Sequence, residues 1–228
     1  PFLDLAERLA RAGLLDRRSE FLPTTREVLA RKERSFTRPE LAVLMAYSKM
    51  QLFHALLESD LPESDAVRPL LLGYFPDPIS ERFADQVSDH PLAREIAATV
   101  IANRVVDQAG SAFAGRLARE TGSSLAKAAS AYLTFDRILE GPRLRQELHG
   151  LDNRMVAERQ YRLLGDLEQA LAAMCGWALT HGMPVSAGEG AIAAFHDKVA
   201  VFEKNLGGIL PAREWAKAKD LAASLEEE

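Results

Sequence analysis

Titratable and nucleophilic side chains are plentiful in this 228-residue sequence, yet their spacing matches no familiar reaction. The five histidines, His54, His90, His149, His181 and His196, share no i, i+4 ligand spacing, and none is paired with a cysteine. The single cysteine, Cys175, lies at helical spacing among apolar neighbours, where an inert buried thiol is expected. One cysteine allows no disulfide framework and no thiolate metal site, which suits a reducing cytosol. No glycine-rich loop runs into Lys and Ser/Thr, and no G-x-S-x-G occurs. Gly188, Gly190 and Ala193 do spell G-x-G-x-x-A. A dinucleotide fingerprint, however, needs a strand feeding the turn, and Met183-Pro184-Val185-Ser186 is not one. These small residues read instead as the first turns of a helix. No catalytic, cofactor-binding or metal-binding set is therefore assigned.

Two polar features stand out against this background. Thr99, Asn103 and Asp107 are spaced by four, so on a helix they stack on one face. Taken as one continuous helix, that face also carries Leu92, Ile96, Val106, Gly110, Phe113 and Leu117. The expectation is a buried polar or interface row that bonds across to a partner helix, since buried polar groups must be satisfied. A ligand or subunit contact at the row is the alternative. Gly110 is expected to let the partner approach closely. The second feature is Lys49, opposite the polar stripe of its helix. An amine there needs an acid nearby or must snorkel to the surface, so Lys49 is a candidate member of a structural ion pair.

The elements that must carry these residues are helical from end to end. Phe36 to Pro62 opens with Thr37, Pro39 and Glu40, a capping box with proline in the first turn. Leu41, Val43, Leu44, Met45, Met50, Leu52, Phe53, Leu56 and Leu57 then leave only a narrow polar stripe. The spacing predicts a core helix from about Arg38 to Ser59 with other helices packed about it. Upstream, helices are expected over 2–12 and from the Thr24/Glu27 capping box to about Arg34, with a short helical turn over 16–22 stopped by Pro23. Downstream, they are expected over 65–74, from Asp77-Pro78 to about Ser88, and continuously over 92–121, closed by Gly122. Those 30 or so residues would reach about 45 Å at 1.5 Å each. Ser123 or Ser124 caps the next, over 125–139. Gly141-Pro142 starts a short one, and Asp152 caps a second long helix to about His181. Ser186 with Glu189 leads a helix to Asn205, and Pro211 starts a last one. The fold class is all-α, a multi-helix bundle of around ten helices, two of them long, with no sheet. The chain reads as a single helical region over 1–228, with a joint near Gly141-Pro142 that would divide it into 1–140 and 141–228. No repeat of fixed period favours a solenoid.

Bulk composition excludes several function classes. Hydrophobic residues make up 47% and charged residues 27%, an ordinary globular balance. The net charge of -5 argues against a nucleic-acid partner or an anionic membrane surface, each of which favours a basic face. Arg31, Lys32, Arg34 and Arg38 form the densest basic run and read as a solvated linker. No signal peptide is expected from the residues given, and no apolar run is long enough to span a bilayer. The first residue is Pro1 rather than Met, so the chain is expected to be part of a longer product.

Longer stretches resemble a known family. Thr37-Arg38-Pro39-Glu40-Leu41-Ala42-Val43-Leu44, followed by Ala46-Tyr47-Ser48-Lys49, is similar to the TRPELAVLLAYAK stretch of the large bacterial NAD-specific glutamate dehydrogenases. Leu14-Leu15-Asp16-Arg17 with Glu20-Phe21-Leu22-Pro23 resembles that family's LDR..EFLP segment. Tyr74-Phe75-Pro76, Ala102-Asn103-Arg104-Val105-Val106 with Ala109-Gly110, Glu120-Thr121-Gly122 and Leu151-Asp152-Asn153-Arg154 fit as well. The likeness spans about residues 5 to 180, with the last helices matching more loosely. It implies a C-terminal helical region of an enzyme that oxidises L-glutamate to 2-oxoglutarate and ammonium, passing hydride to NAD. In that family the catalytic lysine and aspartate and the NAD-binding fold precede the matched region. The resemblance therefore implies no cofactor in this fragment, with NAD in the parent enzyme. It also implies a cytoplasmic setting, and partners in the catalytic domain of the same parent chain and other subunits of a homo-oligomer. A structural, oligomerisation or regulatory role without a catalytic centre follows. The alternative is a free-standing helical scaffold or adaptor unrelated to the enzyme.

Overall fold

The computed structural model describes residues 2–33 and 35–186. Its helices are α1 Phe2–Arg11, α2 Thr25–Ala30, α3 Arg38–Leu57, α4 Arg68–Leu72, α5 Asp77–Arg82, α6 Ala84–Ser88, α7 Ala93–Ala109, α8 Phe113–Thr121, α9 Leu125–Ile138, α10 Gly141–His149 and α11 Ala157–Thr180. A 3₁₀ turn, Leu61–Glu63, follows α3. Among the described residues there is no strand, and the architecture is all-α. These helices belong to one compact unit, Pro1–Gly188, which includes both sides of Gly141. The sequence-predicted helix from Ser186 to Asn205, the helix from Pro211, the G-x-G-x-x-A triad and His196 lie outside the described residues.

The most enclosed element is α9 rather than α3. Ten of its residues are buried, from Ala126 through Tyr132, Phe135 and Asp136 to Ile138. Ala126, Ala128, Ala129 and Ala131 are small enough to let neighbouring helices come close, and α3, α7, α8, α10 and α11 all pack on it. On α3 full burial is confined to one row, Leu44, Ser48, Leu52 and Leu56, repeating every four residues. Met45 and Met50 remain substantially exposed. Composition alone does not distinguish an apolar surface residue from a core one. At its N-terminal half α3 receives α1, where Leu5, Ala6, Leu9, Leu15, Leu22 and Leu44 form one buried cluster.

Several boundaries differ from the sequence-based expectation, each for a local reason. The continuous helix over 92–121 is two helices. Gly110 breaks it, with φ +91 and its N–H bonded to the Val106 carbonyl. The ladder cannot continue through that backbone conformation. A Cβ built on Gly110 meets nothing within 4 Å, so glycine serves the turn and not a close approach. Residues 16–22 form a single helical turn, as expected: the Glu20 N–H bonds to the Asp16 carbonyl at 3.1 Å, and the Asp16 carboxylate caps the turn by accepting from the Arg18 N–H at 2.9 Å and the Ser19 hydroxyl at 2.8 Å. The segment after Pro76 divides into α5 and α6 at Phe83, whose φ is -126. The last long helix begins at Ala157, not after Asp152, because Asn153 takes φ +63 and turns the chain first. Ser124, not Ser123, caps α9, its hydroxyl accepting from the Lys127 N–H at 3.1 Å.

The start of α3 is set by Glu40. Its carboxylate accepts from the Thr37 N–H at 2.7 Å, closing the N-terminal turn. It also takes both guanidinium nitrogens of Arg31, each at 2.7 Å. Arg31 is thus tied to α3 and to the Ser35 carbonyl, not left as part of a solvated linker. The paired Arg31 side chain, with the Thr37 N–H, holds the Glu40 carboxyl at about 2, well below the ordinary 4.5. A carboxyl lowered by folding favours the native state when ionised, so this contribution is complete above pH 4.5 and is lost as pH falls toward 2. Glu40→Gln is expected to cost about 1–2 kcal/mol at neutral pH. Denaturant melts across pH should show the gap from the unmodified chain closing between pH 4.5 and 2.

Candidate functional site

The strongest concentration of buried charge lies where α9, α10 and α11 meet. Tyr132 and Asp136 stand one turn apart on one face of α9. After α9 the chain turns sharply: Glu140 takes φ +51, Gly141 begins α10 and Pro142 occupies its first turn. That elbow carries Arg145 back to within bonding distance of the helix it has just left. Gly141 is required there for space, since a Cβ on it would lie 2.0 Å from Asp136 Oδ1 and 2.8 Å from Arg145 Nη1. Glu168 reaches in from α11 and Arg104 from α7.

Arg145 is only 5% exposed and its hydrogen bonding is extensive. Nη1 donates to Asp136 Oδ1 at 2.6 Å, Nη2 to the Tyr132 hydroxyl at 2.9 Å and Nε to Glu168 Oε1 at 3.0 Å. Nη2 also donates to Glu168 Oε1. The Tyr132 hydroxyl in turn donates to Glu168 Oε2 at 3.0 Å, and Arg104 Nη2 donates to Asp136 Oδ2 at 3.2 Å. Two guanidiniums therefore face two carboxylates, and the cluster is neutral as a whole. The Phe113 ring closes one side, edge-on to Tyr132 at 5.4 Å between centroids.

Burial and neighbouring charge act on three side chains at and beside this cluster. Burial, reinforced by the Glu168 and Asp136 charges, pushes the Tyr132 phenol far above its ordinary range. Burial, aided by Asp136 and Glu168, pushes the Cys175 thiol up to about 12, so it stays protonated and inert. Arg145 is held charged: burial opposes this, but its bonds to Asp136 and Glu168 outweigh burial. With every polar atom of Arg145 bonded within the cluster, the arrangement works as a clamp on α7, α9, α10 and α11. Among the described residues no cluster of His, Cys, Asp or Glu could hold a metal ion.

The residues singled out by sequence fall elsewhere. Thr99, Asn103 and Asp107 are exposed, and the Thr99 hydroxyl donates to the Glu95 carbonyl of its own helix at 2.8 Å. The buried face of α7 is Ala97, Ala98, Ile101, Ala102, Val105 and Val106. The expectation of burial rested on a face continued through Gly110 to Phe113 and Leu117, but the break there resets the helical phase. Lys49 Nζ lies 2.8 Å from Asp107 Oδ1, joining α3 to α7. With side chains 28% and 50% exposed, that pair is worth at most about 1 kcal/mol. Asn103 borders a cleft of about 650 Å³ together with Arg104, Gln108, Arg145, Gln146 and His149. The sequence offered one signal for the clamp that went unused: Asp136 sits in an otherwise alanine- and aromatic-rich helix, and a carboxylate there demands a cation.

A family model described as glutamate dehydrogenase, C-terminal, matches residues 33–228. The chain belongs to this family. Over 216 residues it is 34% identical to an NAD-specific glutamate dehydrogenase of Halomonas elongata, covering 94% of this chain and 13% of that protein. Over 211 residues it is 33% identical to one of Pseudomonas aeruginosa, covering 91% and 13%. Over 126 residues it is 37% identical to one of Mycobacterium tuberculosis, covering 54% and 8%. The chain spans about an eighth of the length of the first two relatives. The family match reaches residue 228 and so includes the last stretch, where the resemblance was looser.

Removing the cation at the centre of the clamp leaves the buried Asp136 and the partly buried Glu168 without it. Arg145→Met is expected to cost about 3–5 kcal/mol in a urea melt, whereas Lys49→Met, at a solvated pair, should cost under about 1 kcal/mol.

Proposed function

We propose that this chain is a helical accessory region of an NAD-dependent glutamate dehydrogenase, a brace rather than a reaction centre. NAD and glutamate chemistry then belong to the rest of the parent chain, and this fragment holds no cofactor. Its partners are the catalytic domain of the same polypeptide and the other subunits of a homo-oligomer, in the cytoplasm. The carrying observation is the family match over residues 33–228, with relatives named as NAD-specific glutamate dehydrogenases of which the chain covers 13%. Two structural facts support the reading. Positioning a nicotinamide normally uses a sheet edge with a glycine turn, and the described residues are helices and turns. The buried charges are also spent on one another, not offered to a substrate. No described helix is long and apolar enough to cross a membrane.

A second reading is favoured by the cleft beside Asn103. Its lining is mainly apolar but carries the amides of Asn103, Gln108 and Gln146 and the Arg104 and Arg145 guanidiniums, which suits a small anionic effector with an apolar body between α7 and α10.

Two measurements test these readings. The purified chain is expected to show no glutamate-dependent NADH formation, and measurable turnover would overturn the accessory role. A small carboxylate or nucleotide that occupies the cleft should raise Tm in proportion to the logarithm of its concentration, and Asn103→Leu should remove the effect. A screen of such ligands that moves nothing would reject the effector cleft.

A further inference from the structure

Phe21 is 91% exposed, while the adjoining Leu22 is 7% exposed and part of the buried cluster shared by α1 and α3. The ring is not loose. The Leu22 N–H bonds to the Arg17 carbonyl at 2.8 Å and the Phe21 N–H to the Arg18 carbonyl at 3.2 Å. That bond pair closes a helical turn through a left-handed residue, a position usually taken by glycine. Here it is held by phenylalanine, at φ +52. A bulky side chain in that region costs stability. The turn is also clamped from both sides. The Arg17 guanidinium donates to the Pro23 carbonyl, and the Tyr47 hydroxyl of α3 donates to Glu20 Oε1 at 2.6 Å. The chain thus spends backbone strain and a rigid frame to present one large apolar ring to the outside.

The surroundings indicate what covers it. Phe21 borders a hollow of about 660 Å³ shared with Arg17, Arg18 and Glu27. Arg17 Nε is buried and has no hydrogen-bond partner among the described residues. Glu27 is already engaged in capping Thr24. The rim therefore sets the exposed Arg18 cation beside an aromatic anchor, a combination common at interface hot spots. A second copy related by a twofold axis would place Arg17 and Arg18 near their own counterparts, like charge against like. A different surface rimmed by carboxylates fits better. The relatives are about eight times longer than this chain, so such a surface has room elsewhere in the same polypeptide, at high effective concentration.

We propose that Phe21 is the anchor by which this region docks into an apolar, carboxylate-rimmed pocket on the remainder of the parent polypeptide. The proposal rests on the accessory-region reading and adds the contact through which it acts. Its test compares Phe21→Cys in this chain alone and in the intact parent protein, with labelling by a soluble maleimide read at that residue by mass spectrometry. Labelling is expected to be fast in the chain alone and slower by about tenfold or more in the parent. Equal rates would overturn the proposal. Concentration-dependent protection in the chain alone would assign the surface to a second copy and overturn it as well. Phe21→Gly gives an independent readout. Relief of the left-handed backbone should raise Tm of the chain alone by about 2–4 °C, with no gain in the parent, where the lost contact offsets it. An equal rise in both would reject docking. Glutamate-dependent NADH formation by the chain alone would instead defeat the accessory reading and leave the labelling contrast as it stands.

Discussion

A single guanidinium, withdrawn from water and shared among three helices, sets the geometry of this bundle. Arg145 reaches Asp136 and Tyr132 on α9 and Glu168 on α11 from its own place on α10. Burying a cation costs several kcal/mol unless its donors are met, and here Asp136, Glu168 and Tyr132 meet them. The net gain over an apolar filling is small for such clusters, but the penalty for misplacing any member is large. A sliding of α11 by one turn, about 5.4 Å, would strand Glu168 and Arg145 together. The cluster consequently enforces the relative register of α9, α10 and α11 more strictly than alanine and leucine packing does.

That constraint explains features that otherwise look unrelated. Gly141 has no side chain because Asp136 Oδ1 occupies the space a Cβ would need. Glu140 tolerates φ +51 because the elbow must be tight for Arg145 to return to α9. The alanines of α9 bring α3, α7, α8, α10 and α11 close enough to bury Tyr132 and Asp136 fully. Arg104 supplies the second positive charge from α7, so the helix that carries the cleft is tied to the same centre.

The periphery is organised differently. There the ion pairs are solvated: Lys49 with Asp107, Arg68 with Asp85 and Arg143 with Glu147 each keep at least one partner half-exposed. Such pairs decorate the surface without fixing it. Large apolar side chains are also left outside, Phe21, Tyr74 and Tyr161 among them. Apolar residues on the outside are what the docking proposed for Phe21 would use, and the chain covers 13% of each of its first two relatives.

Local chemistry was legible in the sequence where a few neighbouring residues decide the outcome. The capping boxes at Thr24/Glu27 and Thr37/Glu40, the proline-led starts and the left-handed close at Gly122 involve groups within three or four positions of one another. Helical period across the described residues set the all-α class for the same reason. What the sequence could not convey is which of several apolar faces is enclosed, because that depends on neighbours distant in the chain. Met45 and Met50 resemble core residues until the helices around α3 are known to leave them outside. Thr99, Asn103 and Asp107 seemed to share a face with Phe113 only while Gly110 was counted as helical. The clamp joins positions 104, 132, 136, 145 and 168, and no spacing rule links residues 9 to 36 apart. The propensity to form rods was written in the chain. The choice of Arg145 as their common fastening came only from tertiary packing, which alone removes water from a charge and makes its partners obligatory.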